Sequence, residues 1–146
     1  MTDRVVIARA LLALLLLGVV GTLAELLLLG HSEGWQQWVP LVLLGLGIPV
    51  VALGVLRRAT RPPFGLLPLM GLYLLSGALG TWLHYRGNAE FELEMAPDAH
   101  GWGLFREAMT GATPALAPGT MVWFGLLGLV AWKLLSTDRS LATHSE

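Results

Sequence analysis

The chain has 146 residues, of which 55% are hydrophobic and only 13% are charged, and its formal net charge is -1. Soluble domains carry roughly 25% charged residues, so this composition excludes an ordinary soluble protein and predicts an integral membrane protein. Membrane helices need about 20 residues each, and four of them leave no room for a separate soluble domain within these residues. The chain contains no cysteine, which excludes disulfides, thiolate metal sites and thiol catalysis.

Four apolar segments are predicted to be membrane-spanning helices, which makes the fold class all-α, an integral membrane four-helix bundle. The segments cover residues 5–29, 39–56, 64–84 and 114–135. The first segment also resembles a signal peptide, because the small-residue pattern at 22–24 follows an apolar core. The apolar run resumes directly after that pattern, so we expect this segment to remain as a span.

Small residues precede His84 in the third segment. Ser76 and Gly80 lie at a spacing of four, with Gly77 beside them. Stripes of small residues let membrane helices approach closely, because no side chains hold the backbones apart. We therefore expect His84, on the same face, to point toward a neighbouring helix and not toward lipid.

Arginine and lysine are distributed unevenly between the two predicted sides of the membrane. Two of the nine, Arg86 and Arg106, fall on one side, and the remaining seven on the other: Arg4, Arg9, Arg57, Arg58, Arg61, Lys133 and Arg139. By the positive-inside rule, both termini and the tail 136–146 are cytoplasmic, while the turn 31–38 and the loop 85–113 lie outside. The sequence thus predicts a multi-pass protein of the plasma or inner membrane.

Residues 85–113 form the only long connection. Glu90, Glu92 and Glu94 alternate with apolar residues there, but a single unpaired strand is not stable, so a helical or irregular extension of the third span is favoured. Farther along this loop, residues 101–110 place three large apolar side chains at spacings of three and four. This spacing predicts a short amphipathic helix that lies on the outer interface and caps the bundle.

Acids and imidazoles cluster on the predicted outer side of the membrane. Together they form an outer cap of Glu25, His31, Glu33, His84, Asn88, Glu90, Glu92, Glu94 and His100. Carboxylates with imidazoles suit divalent zinc, manganese or iron, and the candidate ligands are Glu25, His31, His84, Glu90 and Glu94. Haem held by His31 and His84 is disfavoured, since little else in the sequence resembles a propionate-binding pattern.

The leading interpretation is a non-enzymatic membrane protein that binds a divalent metal or a polar partner at this cap. The alternative is an accessory or assembly subunit that packs against a larger membrane complex or a second copy of itself, because every span contains glycine. Catalysis is not favoured, as no nucleophile motif is present, although an enzyme acting on a lipid or quinone at the outer interface is a distant third interpretation. No span carries a mid-depth charge typical of pumps, and the few juxtamembrane basic residues do not suggest nucleic-acid binding.

Overall fold

The computed structural model of the chain is all-helical. It describes residues 3–56, 61–111 and 113–142, with side chains as far as Thr137. Three of the basic residues that predict the orientation therefore lie outside the described part: Arg57, Arg58 and the side chain of Arg139. The helices are α1 (Asp3–Leu28), α2 (Trp35–Leu56), α3 (Leu66–Met95), α4 (Gly101–Met109) and α5 (Gly119–Ala142).

Four of these helices are long and apolar enough to cross a membrane: α1, α2, α3 and the part of α5 that ends at residue 137. Many of their large apolar side chains face outward, among them Leu17, Leu75 and Trp123. Exposed apolar surface of this extent is unfavourable in water and is expected where lipid is the solvent. The helices therefore fit a small multi-pass membrane protein.

The boundaries of the helices differ from the predicted segments at four points. α2 begins at Trp35, within the predicted turn 31–38, instead of at residue 39. α3 continues past residue 84 to Met95, so the acidic run 90–94 is helical and not extended. α5 starts at Gly119 instead of residue 114, because the segment between Pro114 and Pro118 forms hydrogen-bonded turns. α5 also continues to Ala142, into residues 136–146, which were predicted to be a tail beyond the fourth span; residues 143–146 lie outside the described part.

Each long helix packs mainly against two others. α1 contacts α2 and α5, α3 contacts α5 and α2, and the short α4 packs against α3. The core between the long helices is apolar, and its largest fully buried side chains include Leu12, Leu15, Leu44, Met70 and Tyr73. These side chains are buried against one another and not against lipid, so they determine which helices pack together.

The backbones of α3 and α5 are in direct contact. A Cβ atom on Gly77 would lie 2.8 Å from the Val122 nitrogen and 2.9 Å from the Pro118 oxygen, and one on Gly80 would lie 2.7 Å from the Pro118 Cβ. No larger residue fits at these positions without separating the helices. The expected close approach along the small-residue stripe is thus confirmed at Gly77 and Gly80.

A buried tyrosine connects α3 to α2. The Tyr73 hydroxyl donates a hydrogen bond of 3.2 Å to the Leu43 carbonyl, and Gly47 on α2 leaves the space that this hydroxyl occupies. A buried hydroxyl without a partner would cost about 1–3 kcal/mol, so this bond fixes the register of the two helices.

Candidate functional site

The side chain of Asn88 is the most extensively bonded polar group described in the chain. It is 5% exposed and lies on the part of α3 that extends beyond the predicted span. Its Nδ2 donates to the carbonyls of Ala108 at 2.8 Å and Thr113 at 2.7 Å. Its Oδ1 accepts from the Thr113 N–H at 3.2 Å and from the Thr113 hydroxyl. All donors and acceptors of the amide are therefore used.

These bonds join the three parts of what we call the outer module, residues 85–113, of which residue 112 lies outside the described part. Asn88 comes from α3, Ala108 from α4 and Thr113 from the return toward α5. Gly111 is needed for this arrangement, since a Cβ there would lie 2.8 Å from the Asn88 Cγ. The side chain of Asn88 thus connects α3 both to α4 and to the return toward α5.

Aromatic packing supports the same contact between α3 and α4. The rings of Tyr85 and Phe105 have centroids 5.7 Å apart, and the Phe105 ring stacks on Trp102 at 5.0 Å. Ala108, on the inner face of α4, is fully buried, while Trp102 is 76% exposed. Phe105 therefore anchors α4 to α3, and Trp102 is left on the outer surface.

Two of the predicted metal ligands, His31 and His84, interact electrostatically. His84 lies near enough to His31 for its charge to affect the titration of His31, whose pKa is lowered first by partial burial and then by His84. The Nδ1 of His84 is 3.2 Å from the Pro114 carbonyl. Because a carbonyl only accepts, Nδ1 carries the proton in this contact, and Nε2 keeps the lone pair of the neutral imidazole. His84 was predicted to point toward a neighbouring helix, whereas its partner Pro114 lies in the turns that precede α5.

The predicted carboxylate ligands are engaged elsewhere or exposed. Glu90 forms an ion pair of 2.7 Å with Arg86, one turn earlier on α3, and the Arg86 guanidinium also lies 5.6 Å from the Trp82 ring centroid. Glu25 and Glu94 are exposed, and neither carboxylate makes a hydrogen bond or an ion pair within the described residues. An exposed pair such as Arg86–Glu90 contributes at most about 1 kcal/mol.

Among the residues that the structure describes, no group of three or more histidine, aspartate or glutamate side chains could hold a metal ion. His31 and His84 interact electrostatically, but the three carboxylates do not complete a ligand set with them. The prediction of a metal centre at these five residues therefore gains no support from the arrangement of the side chains.

An acidic groove of about 350 Å³ lies between the end of α3 and α4, at the place where the chain turns back. Its polar lining consists of Glu92, Asp98, His100 and Glu107. Glu107 also forms an ion pair of 2.7 Å with Arg106. Asp98 and Glu107 were not among the predicted site residues, because only the turn at 96–100 brings them beside Glu92.

The role of Asn88 was not predicted either. The sequence indicated it only as one member of an outer polar cap, whereas it is buried and its partners lie 20 and 25 residues away. A single asparagine in a helix carries no local signal of such a contact.

Comparison with known proteins finds no matching family model, no similar curated protein and no similar solved structure. The function must therefore be inferred from the residues of this chain.

Proposed function

We propose that this chain is a non-enzymatic accessory subunit of the cell membrane, which docks a partner protein through its outer module. The observation that carries the proposal is the closure of residues 85–113 by the buried side chain of Asn88. The hydrogen bonds of this amide hold the outer module in one arrangement. A surface that is already ordered lowers the entropic cost of binding a partner.

The membrane part of the proposal is a four-helix bundle. The contacts of α1 with α2 and α5, and of α3 with α5 and α2, close a ring of four helices around the apolar core. Both termini are cytoplasmic by the positive-inside rule, and the outer module then lies on the extracytoplasmic side.

In the proposed arrangement, α4 is an amphipathic cap on the outer interface. Ala108 is buried and Leu104 is partly buried, whereas Arg106, Glu107 and Trp102 of the same helix are exposed. Tryptophan is enriched at the level of the lipid headgroups, where its apolar ring and polar N–H are both accommodated. Trp102 would therefore hold the outer module against the bilayer surface.

The charge of the outer module indicates the chemistry of the partner. Residues 85–113 contain five carboxylates and two arginines. Both arginines pair within the module, with Glu90 and Glu107, which leaves Glu92, Glu94 and Asp98 without an opposite charge among the described residues. An acidic surface associates fastest and most selectively with a basic one. We therefore expect the partner to present a basic extracytoplasmic surface.

Site-directed photocrosslinking in cells tests the docking proposal. A photoreactive amino acid replaces Met95, which is exposed beside the acidic residues, or Leu75, which is exposed on the same helix within the span. We expect a discrete crosslinked protein from position 95 that is absent from position 75. The double variant Glu92→Lys/Glu94→Lys should abolish this crosslink without changing the amount of the subunit in the membrane.

Two results would contradict the docking proposal. The first is an unchanged crosslink in the charge-reversed variant. The second is the absence of any crosslink from position 95 combined with migration of the subunit as a lone monomer when native membranes are gently solubilised.

A divalent metal is the second candidate, and the electrostatic interaction between His84 and His31 is the observation that favours it. The Nε2 of His84 would be the ligand, since Nδ1 bonds to the Pro114 carbonyl. Elemental analysis and an absorption spectrum of the purified protein test this candidate. Stoichiometric metal that is lost in His84→Ala would support it, and equal near-zero metal in both proteins would eliminate it.

A further inference from the structure

A second cavity lies at the opposite end of the molecule from the outer module. It is a cleft of about 500 Å³ between the start of α1 and the end of α5, lined by Arg4, Val130, Lys133, Leu134 and Thr137. A volume of this size is typical of small-molecule sites.

Two cations from different helices face this cleft. Arg4 and Lys133 are both exposed, and neither forms an ion pair within the described residues. Among the side chains that the structure describes, no acid lines the cleft, and Asp3, the neighbouring acid on α1, is not part of its wall. A group that carries negative charge would therefore meet two cations that no described acid neutralises. Arginine offers a fork of donors to phosphate oxygens, and lysine offers a compact point charge.

The rest of the cleft is apolar and continues along α5 toward the middle of the membrane. Leu126, Val130 and Leu134 follow at a spacing of four and so share one face of the helix, on which Val130 is 51% exposed. The hydroxyl of Thr137 bonds to the Lys133 carbonyl within its own helix. The charge of the cleft thus rests on Arg4 and Lys133, and its floor suits a hydrocarbon chain.

We propose that this cleft binds an anionic glycerophospholipid of the cytoplasmic leaflet, with the headgroup phosphate between Arg4 and Lys133 and an acyl chain along Val130 and Leu126. The combination of two cations with an adjoining lipid-exposed apolar face matches a lipid better than it matches a free anion. Basic pockets between helices on the cytoplasmic side are suited to anionic headgroups. The assignment to the cytoplasmic leaflet rests on the proposed orientation of the protein. The binding of the lipid itself depends only on the residues of the cleft and holds for either orientation.

Native mass spectrometry of the protein released from nanodiscs tests the proposal. The nanodiscs contain phosphatidylcholine and phosphatidylglycerol in equal amounts, so both leaflets offer both lipids. We expect one phosphatidylglycerol to be retained in preference to phosphatidylcholine. The preference should fall about fivefold in Arg4→Gln or Lys133→Gln and about thirtyfold in the double variant. Arg4→Lys should retain most of it.

Arg61→Gln is the matched control, because Arg61 is an exposed cation on the same predicted side that does not line the cleft. It should leave the lipid preference unchanged. An unchanged preference in the double variant would overturn the proposal, as would an equal loss in Arg61→Gln or displacement of the lipid by millimolar inorganic phosphate.

This experiment is independent of the docking proposal. Phosphatidylglycerol in both leaflets makes the result insensitive to orientation, and the nanodiscs contain no partner protein. Loss of the crosslink at the outer module and loss of lipid retention at the cleft can therefore be told apart.

Discussion

Asn88 and Thr113 bind each other through both ends of the asparagine amide. The Asn88 Nδ2 donates to the Thr113 carbonyl at 2.7 Å, and its Oδ1 accepts from the Thr113 N–H at 3.2 Å. The two residues are 25 positions apart, so this contact closes the entire outer module. It also makes the end of α3 and the return to α5 one unit with α4.

Removal of this side chain should open the outer module and leave the spans intact. In Asn88→Ala, the Thr113 N–H and two carbonyls lose their partner, and the Ala108 carbonyl loses it in a buried position, which together costs about 2 kcal/mol. We expect faster hydrogen exchange and proteolysis within residues 101–113, with unchanged helix content. Glu94→Ala is the control and should change stability by less than about 0.5 kcal/mol, because Glu94 is exposed. Equal exchange in the two variants would show that the amide does not hold the module.

The close contact of Gly77 on α3 with α5 predicts that a larger residue at this position destabilises the protein, and Gly71 on the same helix provides a control. Gly77→Ala places a Cβ 2.8 Å from the Val122 nitrogen, which should destabilise the protein by about 1–3 kcal/mol because backbone atoms must move. A Cβ on Gly71 meets nothing within 4 Å, so Gly71→Ala should be neutral or stabilising by up to about 1 kcal/mol. Thermal unfolding in detergent compares the two variants. A tolerated Gly77→Ala would contradict the close approach of the helices.

The histidine pair predicts a dependence of stability on pH. Partial burial, and secondarily His84, lower the pKa of His31 below its ordinary value of 6.5. The unfolded chain therefore takes up a proton on this residue at a higher pH than the folded protein does. The stability that neutral His31 contributes is fully present above pH 6.5 and is lost as the pH falls from 6.5 through the folded pKa.

Melting temperatures measured between about pH 8 and 5 check this expectation. His31→Gln should flatten the decline in stability, and His84→Gln should flatten it by a smaller amount, because His84 is the lesser cause of the shift. His100→Gln, which alters an exposed histidine remote from this pair in sequence, is the control. A decline that is unchanged in His31→Gln would assign the pH dependence to other groups.

The absence of native cysteine permits a clean test of orientation. We expect Ser32→Cys and Asp98→Cys to react with a membrane-impermeant maleimide on intact cells, because the positive-inside rule places both positions outside. Arg61→Cys should react only after the cells are permeabilised. All three positions are exposed, so a lack of reaction will reflect the membrane and not burial. The reverse pattern would show that the termini face outward.

The sequence by itself determined the class of the protein and much of its membrane part. Long runs of leucine, valine and glycine predict spanning helices. The thickness of the bilayer requires about 20 consecutive apolar residues, and such a run can be recognised in the sequence alone. The stripe through Gly77 and Gly80 likewise predicted close helix packing, because the small size of these residues can be read directly from the sequence.

Only the tertiary structure decided how the polar residues are used. Clustering of acids and histidines along the chain suggested a metal site, but helix geometry pairs Glu90 with Arg86 and leaves Glu94 exposed. Asn88 looked like one exposed polar residue among several, yet it is buried, because the turn after Met95 folds α4 back over it. Which residues a side chain contacts 20 or more positions away depends on how the backbone folds between them, and no local sequence pattern predicts that fold.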